Sequence, residues 1–443
     1  MASNKLFIIA VALIVAVVAL LGFLVLKQGW GGGGGTIAPA TLEFWGTFDD
    51  INLYRDAISA FQKDHPNTRI NYKKFPFDEY EKNLIDAFAA GNGPDIWMIH
   101  NTWLPKHKDK IQPLPQKVES KDNPLMTLRD FESQFVDVAE KDLVSDGQIY
   151  GLPIYIDTLA LYFNKEILNS AGITTPPATW EELNNAVEAI TQIDSQNKIS
   201  RSGISMGTAK NINRSTDILA LLMMQSGLAL YDPEIGVEFS KTIDRQDVGE
   251  VALKYFTDFS NPRSKVYTWN NQMDYSIDAF RNGKSAMMLN YSHHVQTLRS
   301  QAPRFEFGVA PAPQINNSRT INYANYWAPT VSKISKNPEA AWEFLAFMSG
   351  RVGSAIYLNA SNRPPARRDL VELIKNDVNF GVFAEQALSA KSWYQVDSQA
   401  IETIFAEMID DVNFSRRSVK EALRFAESQV SLLISKYEQQ KIR

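Results

Sequence analysis

Two pairs of side chains in this sequence have types and spacing that could do chemistry. His293 and His294 are adjacent imidazoles, and imidazole is a common zinc ligand. Asp49 and Asp50 are adjacent carboxylates, and glycosidic bonds are hydrolysed by carboxyl pairs. Neither pair makes a convincing reactive centre. Adjacent histidines diverge on most backbones, and the chain has only 5 His. A structural or stacking role therefore outweighs metal ligation, and no metal or cofactor is expected. Asp49 and Asp50 immediately precede an amphipathic pattern, where carboxylates cap a helix and complement its dipole. There is no Gly-x-x-x-x-Gly-Lys-Ser/Thr phosphate loop, no His-Glu-x-x-His and no Gly-x-Ser-x-Gly elbow. Cysteine is absent, which removes thiolate nucleophiles, disulfides and the lipid-modified cysteine of a lipoprotein. What remains points to binding.

The residues suited to binding cluster where apolar runs stop. "TLEFW" reads as a strand and ends in Gly46-Thr47-Phe48-Asp49-Asp50. "DIWMI" ends in His100-Asn101-Thr102-Trp103, and "SAMML" ends in Asn290-Tyr291-Ser292-His293. Between them lie the elements that must hold these clusters. Tyr54, Ala57, Ile58 and Phe61 recur at helical spacing, "RINYKKF" reads as a strand, and Tyr80, Leu84, Ala87 and Phe88 line a second helix that Gly91 can end. Strand-helix-strand-helix-strand at this spacing predicts an α/β fold with a parallel sheet. Such sheets bind ligands at the carboxyl ends of their strands, so the three clusters should face a cleft. The alternation resumes with the strand "TLALYFN" and a helix opened by a capping box from Thr179 to Glu182. Pro338 falls in the first turn of "SKNPEAAWEFLAFMS", and the last 40 or so residues are strongly helical.

A length of 443 residues exceeds what one core usually serves, so two lobes are expected. A net charge of −5 with scattered Lys and Arg gives no reason to expect nucleic acid. Leu6 to Leu26 is apolar over the roughly 20 residues that cross a bilayer as a helix, and no convincing cleavage site follows it, since Ala38-Pro39-Ala40 lies well beyond its end. The expectation is an uncleaved single-pass anchor rather than a cleaved signal sequence, with Gly31–Gly35 as a flexible tether; Lys5 and Lys27 flank the run almost equally, so the flanks leave its orientation open.

Four stretches carry a family resemblance: "YEKNLIDAFAAGNGPDIWMI", "GQIYGLPIYIDTLALYFNKEILNSAGITTPPATWEEL", "AFRNGKSAMMLNYSHH" and "NYWAPTVSKISKNPEAAWEFLAFMS". In order and spacing the chain, over roughly residues 40 to 435, resembles the extracellular solute-binding proteins of ABC importers, the group that includes maltose-binding protein and other sugar receptors. The resemblance implies a two-lobed, periplasmic-binding-protein-like fold of type II, with ligand in a cleft between lobes that close by a hinge. It implies crossings near Pro153–Thr158, Asn322–Ala328 and Asn359–Pro364. The expected organisation is an anchor at 1–27, a linker at 28–39, a first lobe at 40–154 and 326–360, and a second at 155–325 and 361–443. The resemblance also implies a monomer that hands its solute to permease subunits in the membrane.

Matched position by position, the resemblance places Trp45, Thr47 and Asp49 in one cleft loop and His100, Asn101 and Trp103 in another. Tyr155 and Asp157 match a third cleft segment. Asn290, Tyr291 and His293 match a loop that often supplies an aromatic platform, here without its tryptophan. Tyr326, Trp327 and Arg363 lie at or beside crossings. A pyranose has an apolar C–H face that packs on rings and hydroxyls that need planar polar partners. Trp45, Trp103, Tyr155, Tyr291 and Trp327 suit the first need; Asp49, Asn101, Asp157, Asn290 and Arg363 suit the second. The same inventory would serve a polyamine or a glycerol phosphate. In an extended segment Tyr326 and Trp327 point opposite ways, so one of the two should face the cleft. Two other classes compete: a carbohydrate-active hydrolase using Asp49 or Asp157, and a sensory receptor that presents its closed form to a membrane kinase.

Overall fold

The computed structural model describes residues 39–116, 125–196, 198–315 and 319–441. The apolar run Leu6–Leu26 and the glycine tether lie outside these residues, and among the described residues no helix is long and apolar enough to cross a membrane.

The strand Ala40–Thr47 alternates buried and outward residues, which sends Leu42 and Phe44 into a core. It pairs in parallel with Thr68–Phe75 on one side and with Ile96–His100 on the other. The helix Ile51–Asp64 connects the first two strands and buries Tyr54, Ala57, Ile58 and Phe61, the expected stripe. The helix Phe77–Ala89 makes the next crossover, and Gly91 follows its end at φ 71°, where a side chain would be strained. The sheet is not wholly parallel. A fourth strand, Trp327–Val331, joins it antiparallel to Ile96–His100, with Trp327 opposite His100.

Past the first lobe the pattern departs from a parallel sheet. Ala160–Asn164 is flanked on both sides by antiparallel partners, Met287–Asn290 and Phe307–Pro311. The capping box is present at Thr179 and Glu182. The side-chain cap expected of Asp50 is not: it stands at the N-cap position, but its carboxylate makes no cap hydrogen bond and pairs with Lys74 at 3.2 Å. Two large apolar cores result. One gathers residues from Ala40 to Ile156 and again from Ala324 to Ala390, around Phe44, Trp97 and Trp342. The other gathers Leu159 to Tyr323 and Trp393 to Ile434, around Leu219, Trp269 and Phe405.

Three short pieces sit where the two cores meet. Asp157–Thr158 pairs antiparallel with Asn322–Asn325, which pairs in parallel with Ala390–Lys391. The chain runs from Asn322–Asn325 directly into Trp327–Val331 in the first sheet, with Tyr326 as the single residue between. Tyr155 also bridges Pro365. This seam positions the site.

Candidate functional site

A cavity of about 710 Å³ opens beside the seam, within the range of small-molecule sites. The first sheet supplies an aromatic wall. Trp327 is its hub, with ring centroids 4.9 Å from Trp103, 5.4 Å from His100, 5.8 Å from Phe48 and 6.1 Å from Phe77. Phe48 and Phe77 stack on each other at 5.2 Å and are about half exposed, so their faces border the opening. Phe48 holds φ 64°, a conformation that few bulky residues adopt. Such strain persists where surrounding structure enforces it, and here it aims a ring at the cavity.

The opposite wall is polar. Arg214, itself left-handed at φ 61°, stands at the start of the helix Ser215–Gln225. Its Nε lies 3.0 Å from Asp217 Oδ2, and Tyr291 Oη donates to the same carboxylate at 2.7 Å. Tyr291 is fixed by its own backbone oxygen, which accepts from Tyr162 Oη at 2.6 Å. Asn325 links the walls: its Oδ1 meets His100 Nε2 at 3.3 Å, and its Nδ2 donates weakly to Asp217 at 3.5 Å. Tyr323, Trp393, Gln395, Glu402 and Phe405 complete the lining. Burial raises the Glu402 carboxyl above its usual range.

Burial holds the imidazoles here below their ordinary values. Burial, then the Arg214 charge, holds His100 and His294 down to about 4. Burial, then the neighbouring His294, puts His293 well below its ordinary value. A histidine whose folded value is depressed contributes its stability fully above about pH 6.5 and loses it as pH falls toward 4. Urea midpoints across that window should therefore fall with pH, and His294→Gln should flatten part of the slope; an unchanged slope in the variant would contradict this placement.

Of the residues singled out from sequence, His100, Trp103, Tyr155, Asp157, Tyr291, His293, Trp327 and Arg363 line the cavity. Six do not, each for a local reason. Trp45 lies on the outward face of its strand and packs on Phe75 at 4.6 Å under the Lys73 ammonium. Thr47 is buried without lining the space. Asp49 is 4% exposed and locked: Arg363 Nη2 donates to it at 2.6 Å, and the Tyr357 and Tyr54 hydroxyls donate at 2.5 and 3.2 Å. Asn101 turns away and donates to Asp142 at 3.0 Å. Asn290 is fully buried, its Oδ1 accepting from the Tyr291 backbone N–H. Tyr326 is fully buried and donates to Asp142 at 2.9 Å, so Trp327 is the member of that pair that faces the cleft.

Asp157 lines the space, but its carboxylate is taken by the Ser292 backbone N–H and hydroxyl and by the Thr158 N–H. Burial nonetheless raises it to about 6. With Asp49 locked to Arg363, neither carboxylate proposed for hydrolysis is free to act as acid or base. The lining residues that the sequence did not single out are Phe48, Phe77, Arg214, Asp217, Tyr323, Asn325, Trp393 and Glu402, among others. Phe48 stood in a flagged cluster, and Tyr323 and Asn325 in the expected crossing Asn322–Ala328.

A two-core α/β body with an aromatic-walled cavity at the seam is the build of a ligand receptor. Comparison with known proteins agrees. Residues 56–382 match the family of bacterial extracellular solute-binding proteins, and the chain belongs to that family. It is a solute-binding receptor of the extracytoplasmic side and not an enzyme. A binding protein of Brucella abortus is 25% identical over 296 residues, covering 67% of this chain and 68% of that one. The maltodextrin-binding protein of Bacillus subtilis is 25% identical over 343 residues, 75% of each chain. Among solved structures, the sugar-binding protein MalE of Xanthomonas citri matches with a TM-score of 0.73 at 20% identity, covering 91% of this chain and 100% of that one. That likeness establishes the two-lobed fold.

Proposed function

We propose that this protein captures an oligosaccharide in the cleft by lobe closure and delivers it to the permease of an ABC importer. One observation carries the reading: a wall of four rings, Trp327, Trp103, Phe77 and Phe48, faces a wall of hydrogen-bonding groups, Arg214, Asp217, Asn325 and Glu402. The rings suit the C–H faces of successive pyranoses, and the polar groups suit their hydroxyls. The names of several relatives support the same class: maltodextrin- and arabinooligosaccharide-binding proteins. Of the 14 residues singled out above, the eight that line the cavity are the ones assigned here to the ligand. The lobes divide at 40–154 with 326–360 and at 155–325 with 361–443, with Ala366, Ala387 and Ala390 reaching back into the first core, and the protein acts as a monomer.

A thermal-shift screen over sugars tests the reading. A ligand that binds only the native state raises the melting temperature, by an amount that grows with its concentration. Oligosaccharides should give the largest shifts. A polyamine or glycerol phosphate shifting it while every sugar fails would replace the solute class.

The apolar run Leu6–Leu26 supports a retained membrane anchor, which would hold the receptor at high effective concentration beside its permease. Mass measurement on the native membrane fraction should find the run intact. A mature chain beginning near Gly29 would contradict it.

A further inference from the structure

A second hollow, of about 630 Å³, lies along the seam where Tyr326 points, away from the aromatic wall. One side is built by the loop Asn101–Leu104 and the helix Asp137–Leu143, the other by Arg319, Ile321 and the segment Lys391–Gln395. The helix packs directly on Ala390–Lys391. Lys141, Arg319 and Lys391 all line the space, and none of the three has an ion-pair partner among the described residues. The other lining cation, Lys108, is different: it is held by Asp146 and by Ser145 at 2.8 Å.

Lys141 and Arg319 act on Lys391. Lys391 is partly buried, and its ammonium is pulled below its ordinary value by that burial, then by Lys141 and by Arg319. Asp137 opposes this, but its carboxylate is engaged by Arg368. The carboxylate in the wall, Asp142, is also occupied, accepting from Asn101, Tyr326 and Ser392. Positive charge thus converges on a hollow whose acidic groups are already committed elsewhere. Like charges brought together on folding are costly unless something compensates them.

We propose that this hollow binds a small oxyanion, a phosphate or carboxylate group, held between Lys141, Arg319 and Lys391. Each cation supplies charge-assisted donors to such a group. An occupant would touch both sides of the seam. Trp393 and Gln395 border both this hollow and the aromatic cleft, whereas the three cations border only the hollow.

The test is calorimetry and thermal unfolding of the full chain with inorganic phosphate and with citrate, sodium chloride holding ionic strength constant. Either anion should bind saturably and raise the melting temperature. Lys141→Gln and Lys391→Gln should each weaken it about tenfold, and the double variant should lose it. Trp327→Ala should leave anion binding unchanged, and the double lysine variant should keep its circular dichroism spectrum. Phosphate alone responding assigns a phosphate site, and citrate alone a carboxylate site. No saturable response to either anion, or an equal response in the folded double variant, would overturn the proposal.

Discussion

Trp327→Ala should weaken ligand binding by about 1–3 kcal/mol, roughly fivefold to 150-fold, because it removes the hub of the aromatic wall. The indole is mostly buried but borders the cavity, and four lining rings pack around it. Some loss of folding stability should accompany the loss of affinity. Its neighbour gives the opposite order of effects. Tyr326 is fully buried and donates to Asp142, so Tyr326→Ala should first cost about 3–5 kcal/mol of folding stability. Urea unfolding and calorimetry on both variants read the two quantities separately. If both proteins keep wild-type affinity, this segment is not part of the site.

Arg363→Met should destabilise the fold by about 3–5 kcal/mol, since it leaves the Asp49 carboxylate buried without its cation. The pair is well built: Asp49 also accepts from Tyr54 and Tyr357, and the guanidinium lies 4.2 Å from the Tyr155 ring centre. Asp49→Asn combined with Arg363→Met removes both charges, and should recover much of the loss. Denaturant midpoints of the two single variants and the double variant decide this. A double variant as unstable as the sum of its parts would mean the pair is not coupled.

The local elements were legible because their signals are local. The stripe Tyr54–Phe61, the capping box at Thr179 and the apolar run "DIWMI" each need only neighbours to be read. Sheet direction was less so. "TLALYFN" and "SAMML" look like strands of a parallel sheet, yet they pair antiparallel across more than a hundred residues of intervening chain, and no local pattern records that. The site divides in the same way. His100 ends its strand and Trp103 and Tyr291 follow the ends of theirs, where ligand residues are looked for. Arg214 and Asp217 sit at the head of an almost wholly buried helix, with no motif around them. Asp49 read as a polar cleft residue because nothing near it in sequence announces Arg363, 314 residues away. For Phe48 a signal did exist: a large aromatic inside a Gly-Thr-Phe-Asp-Asp turn has little reason to be there unless its ring is used.

The central claim is that the aromatic cleft binds a sugar without transforming it. Titration calorimetry with an oligosaccharide panel, followed by chromatography of the recovered ligand, tests it most directly. The account predicts one-to-one binding, roughly micromolar and so about −8 kcal/mol, with the sugar recovered intact. Trp327→Ala should weaken that binding, and the double lysine variant should not. Cleaved product in the recovered ligand, or wild-type affinity after the loss of Trp327, would contradict it.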